Sequence, residues 1–167
     1  TGNGFEHIDT ARTRRVVGID INPAYLGILA SRFAGKIPGL ELIEADIAAP
    51  GFRIAPVSMV FAGLVFEYVD VPGALRNVAN CLAPGGTLFA VLQQPSAESA
   101  PVTVTRYKSL QLVSHIMNLV PPVQFSGMCR DLGLREIAAD TLPMKKGKSF
   151  FIGSYRQCDG PLPGGNA

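Results

Sequence analysis

Residues 16–23 read Val16-Val17-Gly18-Ile19-Asp20-Ile21-Asn22-Pro23, and this stretch decides the fold. It begins as a short apolar run that closes on a carboxylate, the pattern of a buried strand. Asn22 followed by Pro23 is a helix start, because the amide side chain accepts from free N–H groups while proline presets φ at the first helical position. Tyr25, Ile28, Leu29 and Phe33 then fall on one face of a helix that Gly35 closes.

The same alternation recurs along the chain. Leu40 to Ala45 is predicted as a second strand, ending at Asp46, and Val57 to Ala62 as a third. Asp70 and Pro72 open a second helix, whose stripe of Leu75, Val78, Ala79 and Leu82 stops at Pro84-Gly85-Gly86; Thr87 to Leu92 is a fourth strand. Strands alternating with helices require right-handed crossovers. The expected fold is therefore α/β, a doubly wound, Rossmann-like, mostly parallel sheet with helices on both faces. Residues 93–106, rich in Pro, Ser, Ala and Thr, are expected to form a long loop, and Val113, Ile116, Met117 and Val120 a helix ended by Pro121-Pro122. A short helix over 123–132, a strand over 134–142, the polar turn 144–148 and a strand over 150–155 complete an antiparallel C-terminal hairpin. Residues 1–157 are read as a single domain and 158–167, with three glycines and two prolines, as a flexible tail. The chain opens on Thr1-Gly2-Asn3-Gly4, inside a glycine-rich turn and without methionine, so a first strand is expected upstream.

Composition narrows the function. Of 167 residues 47% are hydrophobic and 17% charged, which suits one globular domain with a sizeable core. Fifteen basic against 13 acidic residues give a net charge of +2, without the broad basic footprint that a phosphate backbone demands, so nucleic acid is not an expected partner. Cys81, Cys129 and Cys158 are odd in number and far apart, against both a disulfide framework and a C-x-x-C metal site; they suit a reducing cytosol, and no metal is expected. No apolar run approaches the roughly 18 residues that span a bilayer, and no export signal opens the chain.

In doubly wound sheets ligands sit at the carboxyl ends of the strands. Gly2 and Gly4 form a turn whose backbone a ligand can approach closely. Asp20 lies 18 residues past Gly2, near the spacing at which a carboxylate meets ribose hydroxyls, and Asp46 ends the next strand, where an acceptor for an exocyclic amine is needed. Each also has a plainer reading, the glycines as an ordinary turn and the aspartates as caps. Their order and spacing favour a nucleoside.

With these residues together, the chain resembles the class I S-adenosylmethionine-dependent methyltransferases. Thr1-Gly2-Asn3-Gly4 is similar to the end of that family's first, glycine-rich motif, and Val17 to Pro23 to its second, which gives Asp20 the ribose-binding role and places Ile21 beside it. Glu44-Ala45-Asp46-Ile47 resembles the third motif: Asp46 would face the adenine amine and Ile47 pack on the ring. Phe61-Ala62-Gly63-Leu64-Val65-Phe66-Glu67-Tyr68-Val69 resembles the fourth, so Ala62 and Gly63 would pass beneath the methionine part of S-adenosyl-L-methionine. Leu82-Ala83-Pro84-Gly85-Gly86-Thr87-Leu88 is the most specific match, the Pro-Gly-Gly turn before the family's fifth strand. The resemblance implies cofactor contacts from Thr1, Gly2, Gly4, Asp20, Ile21, Asp46, Ile47, Ala62 and Gly63. Serine stands before the third strand, in Val57-Ser58-Met59, where the family usually has an acidic residue.

Methyl transfer from a sulfonium is an in-line displacement that needs alignment, exclusion of water and, for a protonated acceptor, a base. No universal catalytic residue is implied. Substrate-side candidates are Glu67 and Tyr68, read alternatively as a solvated carboxylate and a packed ring, and Tyr107 and His115 in the variable segment, read alternatively as packing or exposed residues. Lys145, Lys146 and Lys148 are expected to stay solvated. The chain lacks an Asn-Pro-Pro-Tyr motif after the third strand and a Pro-Cys pair, so a small molecule is the expected methyl acceptor. Two other readings remain open: a nicotinamide-dependent oxidoreductase, which would share the glycines and Asp20, and a non-catalytic methyltransferase-like partner subunit. The sequence leaves the oligomeric state open.

Overall fold

A computed structural model describes residues 2–94, 117–144 and 147–158. The chain divides into two compact units, Thr1–Phe52 and Arg53–Ala167.

In the first unit a 3₁₀ turn at Phe5–His7 precedes strand β1 (Val16–Asp20), helix α1 (Pro23–Phe33) and strand β2 (Leu40–Glu44). β1 and β2 pair in parallel, from Val16 opposite Leu40 to Asp20 opposite Glu44. Asn22 caps α1 as expected, its side chain accepting from Ala24 N–H at 3.0 Å. The buried face differs from the expected one: Leu26, Leu29 and Phe33 are inside, whereas Tyr25 and Ile28 are 48% and 46% exposed. Leu29, Phe33 and Ile37 form the core, with Phe5, Ile8, Val16, Leu40 and Leu42 packed against it. A Cβ on Gly18 would lie 2.8 Å from Leu29 Cδ2, so the bare strand position is what lets the helix close on the sheet.

The second unit contains strand β3 (Val57–Gly63), helix α2 (Val71–Cys81), strand β4 (Leu82–Gln93), helix α3 (Pro122–Asp131), and strands β5 (Leu134–Pro143) and β6 (Ser149–Gln157). Their order is β3-β4-β6-β5, with β3 parallel to β4 and β6 antiparallel to both β4 and β5. The C-terminal hairpin is thus present, its second strand innermost. α2 ends earlier than expected, at Cys81, and Leu82 already pairs with Val57. The ladder resumes at Met59 opposite Thr87, so the Pro84-Gly85-Gly86 turn is a bulge within a strand rather than a helix stop. Gly85 has φ of 71°, and a Cβ on Gly86 would lie 2.7 Å from the Ala83 carbonyl. The loop and helix expected between 95 and 116, and the tail beyond 158, lie outside the described residues.

Alternation along β4 puts Leu88, Ala90 and Leu92 wholly inside, and Ala74, Leu75 and Ala79 of α2, which packs on β4, are buried too. Three rings also meet in this core: Phe66 lies tilted against Phe125 at 4.9 Å, and Phe125 meets Tyr155 edge to face at 5.7 Å between centroids. Tyr155 is fully buried, and its hydroxyl meets Ser126 Oγ at 2.9 Å, which in turn donates to Glu136 Oε2 at 2.8 Å. An unpaired buried hydroxyl would cost about 1–3 kcal/mol, so Ser126 is what permits a tyrosine there. Burial and the Glu136 charge push the neighbouring Cys129 thiol up to about 12. All three cysteines are free.

Two substitutions test this packing. A Cβ on Gly153 would lie 2.6 Å from Tyr155 Cε2 and 2.8 Å from Phe151 Cε1, both rings held in the core. Gly153→Ala should therefore cost about 1–3 kcal/mol, read as a lowered urea midpoint at unchanged slope. Asp70 Oδ2 accepts from Gly73 N–H at 2.9 Å and caps α2. Asp70→Ala should lower the same midpoint by an amount equivalent to about 1 kcal/mol, and Asp70→Ser should restore it.

Candidate active site

In the first unit the two expected carboxylates lie at the same end of the parallel pair. Asp20 is the last residue of β1, and the chain leaving β2 is tied to it by Ala45 N–H donating to the Asp20 carbonyl at 3.2 Å. Asp20 is half-buried; its Oδ1 accepts from Asn22 N–H at 2.8 Å, and Oδ2 has no partner among the described residues. The turn is therefore satisfied by one carboxylate oxygen of Asp20. Ile21, the next residue, is 68% exposed, an apolar side chain standing beside that carboxylate. Asp46 is exposed and accepts from Ala48 N–H at 2.8 Å, a local turn that fixes its carboxylate just beyond β2; Ile47 beside it is half-buried.

The glycine turn has the backbone expected of it. Gly2 and Gly4 have φ of 73° and 92°, and a Cβ on Gly2 would collide with Leu29 and Phe33, so the turn lies directly on α1. Glu6 also takes part in this turn. Glu6 Oε2 accepts from Gly4 N–H at 3.1 Å, and its carboxyl is held below the usual range by its own backbone N–H and by that of Gly4. A Gly-x-Gly pattern gives no sign of this, although a carboxylate two residues past the second glycine is the signal that could have found it. Thr1 lies outside the described residues.

In the second unit Ala62 is buried within β3 and Gly63 is exposed at its end. Leu64 follows with φ of 56°, a left-handed conformation that costs a residue with a side chain free energy. The 3₁₀ turn Phe66–Tyr68 comes next, and here the solvated reading of Glu67 is overturned. Glu67 is fully buried, whereas Tyr68 is 39% exposed. Glu67 Oε1 accepts from Gln93 N–H at 2.6 Å, and Oε2 is buried without a hydrogen-bond partner among the described residues. Burial raises the Glu67 carboxyl, against the lowering effect of Gln93 N–H, and burial together with Glu67 raises the Tyr68 hydroxyl.

Tyr68 borders a cleft of about 470 Å³ between the β3–α2 turn and the start of α3. Its apolar lining includes Val69, Pro72, Leu119 and Met128, and its polar groups include Asp70, Asn118 and Gln124. Tyr107, His115, Lys145 and Lys146 lie outside the described residues. Among the described residues no cluster of three or more His, Cys, Asp or Glu side chains could hold a metal, and no helix is long and apolar enough to cross a membrane.

Against known proteins, the model of the methyltransferase domain family matches residues 1–90. A curated relative, the 2-phytyl-1,4-naphtoquinone methyltransferase of Thermosynechococcus vestitus, is 38% identical over 80 residues, which are 45% of this chain and 33% of the relative. The chain thus spans about a third of the length of that relative. Among solved structures, geranyl diphosphate C-methyltransferase of Streptomyces coelicolor, in complex with Mg2+, geranyl diphosphate and S-adenosyl-L-homocysteine, superposes with a TM-score of 0.71 at 12% identity, covering 93% of this chain and 67% of that one. The cyclase SpnF superposes with a TM-score of 0.68 at 13% identity, covering 87% and 68%. At such identities these likenesses speak to the fold, and they agree with the Rossmann-like architecture read from the sequence. The family match carries the assignment: the chain belongs to the methyltransferase domain family, the class I S-adenosylmethionine-dependent methyltransferases.

Proposed function

We propose that this protein transfers a methyl group from S-adenosyl-L-methionine to a small, largely apolar acceptor in the cytoplasm. The observation that carries the reading is Asp20: a half-buried carboxylate at the carboxyl end of a parallel strand, one oxygen spent on its own turn and the other unengaged among the described residues, inside the stretch that the family model matches. That donor set fits a nucleoside. Asp20 would accept from the ribose hydroxyls, Asp46 would accept from the adenine amine, and Ile21 and Ile47 would supply the apolar contacts a purine ring needs. When bound, the cofactor supplies an electrophilic methyl group on a sulfonium, ready for in-line displacement.

The cleft beside Tyr68 is the acceptor wall in this reading. A phenol ring with Val69, Pro72, Leu119 and Met128 favours an apolar body, while Asn118 and Gln124 offer amides for one or two oxygens. The curated relative's name specifies a naphthoquinone, which supports an acceptor of that kind. The protein's own task would then be alignment and exclusion of water. The family match over residues 1–90 weighs against a nicotinamide enzyme. The neighbouring cyclase shows that the fold alone does not fix the reaction, so the cofactor must be tested directly. Three free cysteines suit a reducing compartment.

Calorimetric titration of S-adenosylhomocysteine into the full-length protein should give one-to-one micromolar binding. Asp20→Ala should weaken it by about 1.5–3 kcal/mol, roughly 10- to 150-fold, the range for a hydrogen bond to a charged group. No binding by folded protein would sink the proposal, and unchanged affinity in the folded variant would remove Asp20 from the site.

A further inference from the structure

Glu67 reaches two distant stretches of backbone at once. Its side-chain Oε1 accepts from Gln93 N–H at 2.6 Å, at the last residue of β4, and its main-chain carbonyl accepts from Asn118 N–H at 2.7 Å. Asn118 lines the cleft, and so does Tyr68, the residue joined to Glu67 by the next peptide bond. Both walls of the cleft are therefore fastened to one residue. Phe66, its other neighbour, is fully buried against Phe125 and gives the turn a rigid seat. Burying a carboxyl group costs several kcal/mol when it is poorly paired, and this one keeps an unpartnered oxygen among the described residues. Packing alone would be better served by a leucine or methionine. The carboxyl is better explained as an acceptor for the backbone N–H of Gln93, the last residue of β4.

We propose that Glu67 is the positioning residue of the acceptor cleft: its side chain, anchored on Gln93, fixes the carbonyl that holds Asn118 and the orientation of Tyr68. It acts through these two residues and, being fully buried, does not touch the acceptor. The inference rests on the reading of this cleft as the acceptor site. It deepens that reading by naming what holds the site in shape.

The test uses the full-length protein and three variants. Hydrogen exchange at the Asn118 amide is the informative signal, because Glu67→Ala keeps the carbonyl that Asn118 bonds to and removes only the side chain that holds this carbonyl in place. Glu67→Ala should speed exchange at Asn118 at least tenfold and weaken binding of the quinol of 2-phytyl-1,4-naphthoquinone at least tenfold, with S-adenosylhomocysteine affinity changed by less than twofold. Glu67→Gln keeps an oxygen for Gln93 N–H and should restore both signals to within threefold of the parent. If Glu67→Ala does not fold, Glu67→Leu fills the space without an acceptor and should behave as predicted for alanine. Unchanged exchange at Asn118 in a folded alanine or leucine variant overturns the proposal, as does a glutamine variant as impaired as alanine. If the parent protein binds no quinol, the acceptor reading falls by itself, and the exchange measurement still decides whether Glu67 is the clamp.

Discussion

The second unit depends on one line of aromatic contact. Tyr155 meets Phe125, Phe125 meets Phe66, and all three rings are fully buried. The line runs from β6 through α3 to the turn after β3, so it joins three elements that are far apart in the chain. It exists because β6 has no side chain at Gly153 to compete with the Tyr155 ring, and because Ser126 satisfies the hydroxyl that such a ring brings inside. Its far end is Phe66, next to the two residues that shape the candidate cleft. Core packing thus sets where Glu67 and Tyr68 begin, and hydrogen bonds to Gln93 and Asn118 set where they finish.

The first unit has its own ring contact, Phe5 against Phe33 at 5.6 Å between centroids. α1 approaches the parallel pair through Gly18 and packs Leu29 and Phe33 into the angle between glycine turn and sheet. The backbone needs of the strand-to-helix turn are met locally, by Asp20 for Asn22 N–H and by Asn22 for Ala24 N–H. Local satisfaction is what leaves the second oxygen of Asp20 available among the described residues. A carboxylate that had to serve a distant backbone group as well would have nothing left for a ligand.

Much of this was legible in the residues themselves. A short apolar run ending in a carboxylate marks β1, and Asn22-Pro23 and Asp70 mark the helix starts, because strand burial and capping are local physics. The rotation of α1 was less so. Tyr25, Ile28, Leu29 and Phe33 satisfy helical spacing, but so do Leu26, Leu29 and Phe33, and only the sheet's position selects the second set. The Pro-Gly-Gly turn is legible in the sequence as a break, but whether it stops a helix or bulges a strand depends on Leu82 finding Val57. Glu67 was the hardest to read. Its burial is decided by Gln93, 26 residues on, and no local pattern around a glutamate announces a partner at that distance.

The strand order of the second unit also bears on how the protein comes into being. Among the described strands β6 is the last in sequence, yet it lies between β4 and β5 and supplies hydrogen bonds to both. During synthesis, β5 therefore waits without its neighbour, and the sheet cannot close until Gln157 has cleared the ribosome. Completion of this unit is a late, non-local event, in which ordering of the intervening chain precedes any reward from pairing. Until then the nascent protein carries an unfinished, apolar sheet, the kind of surface that chaperones recognise.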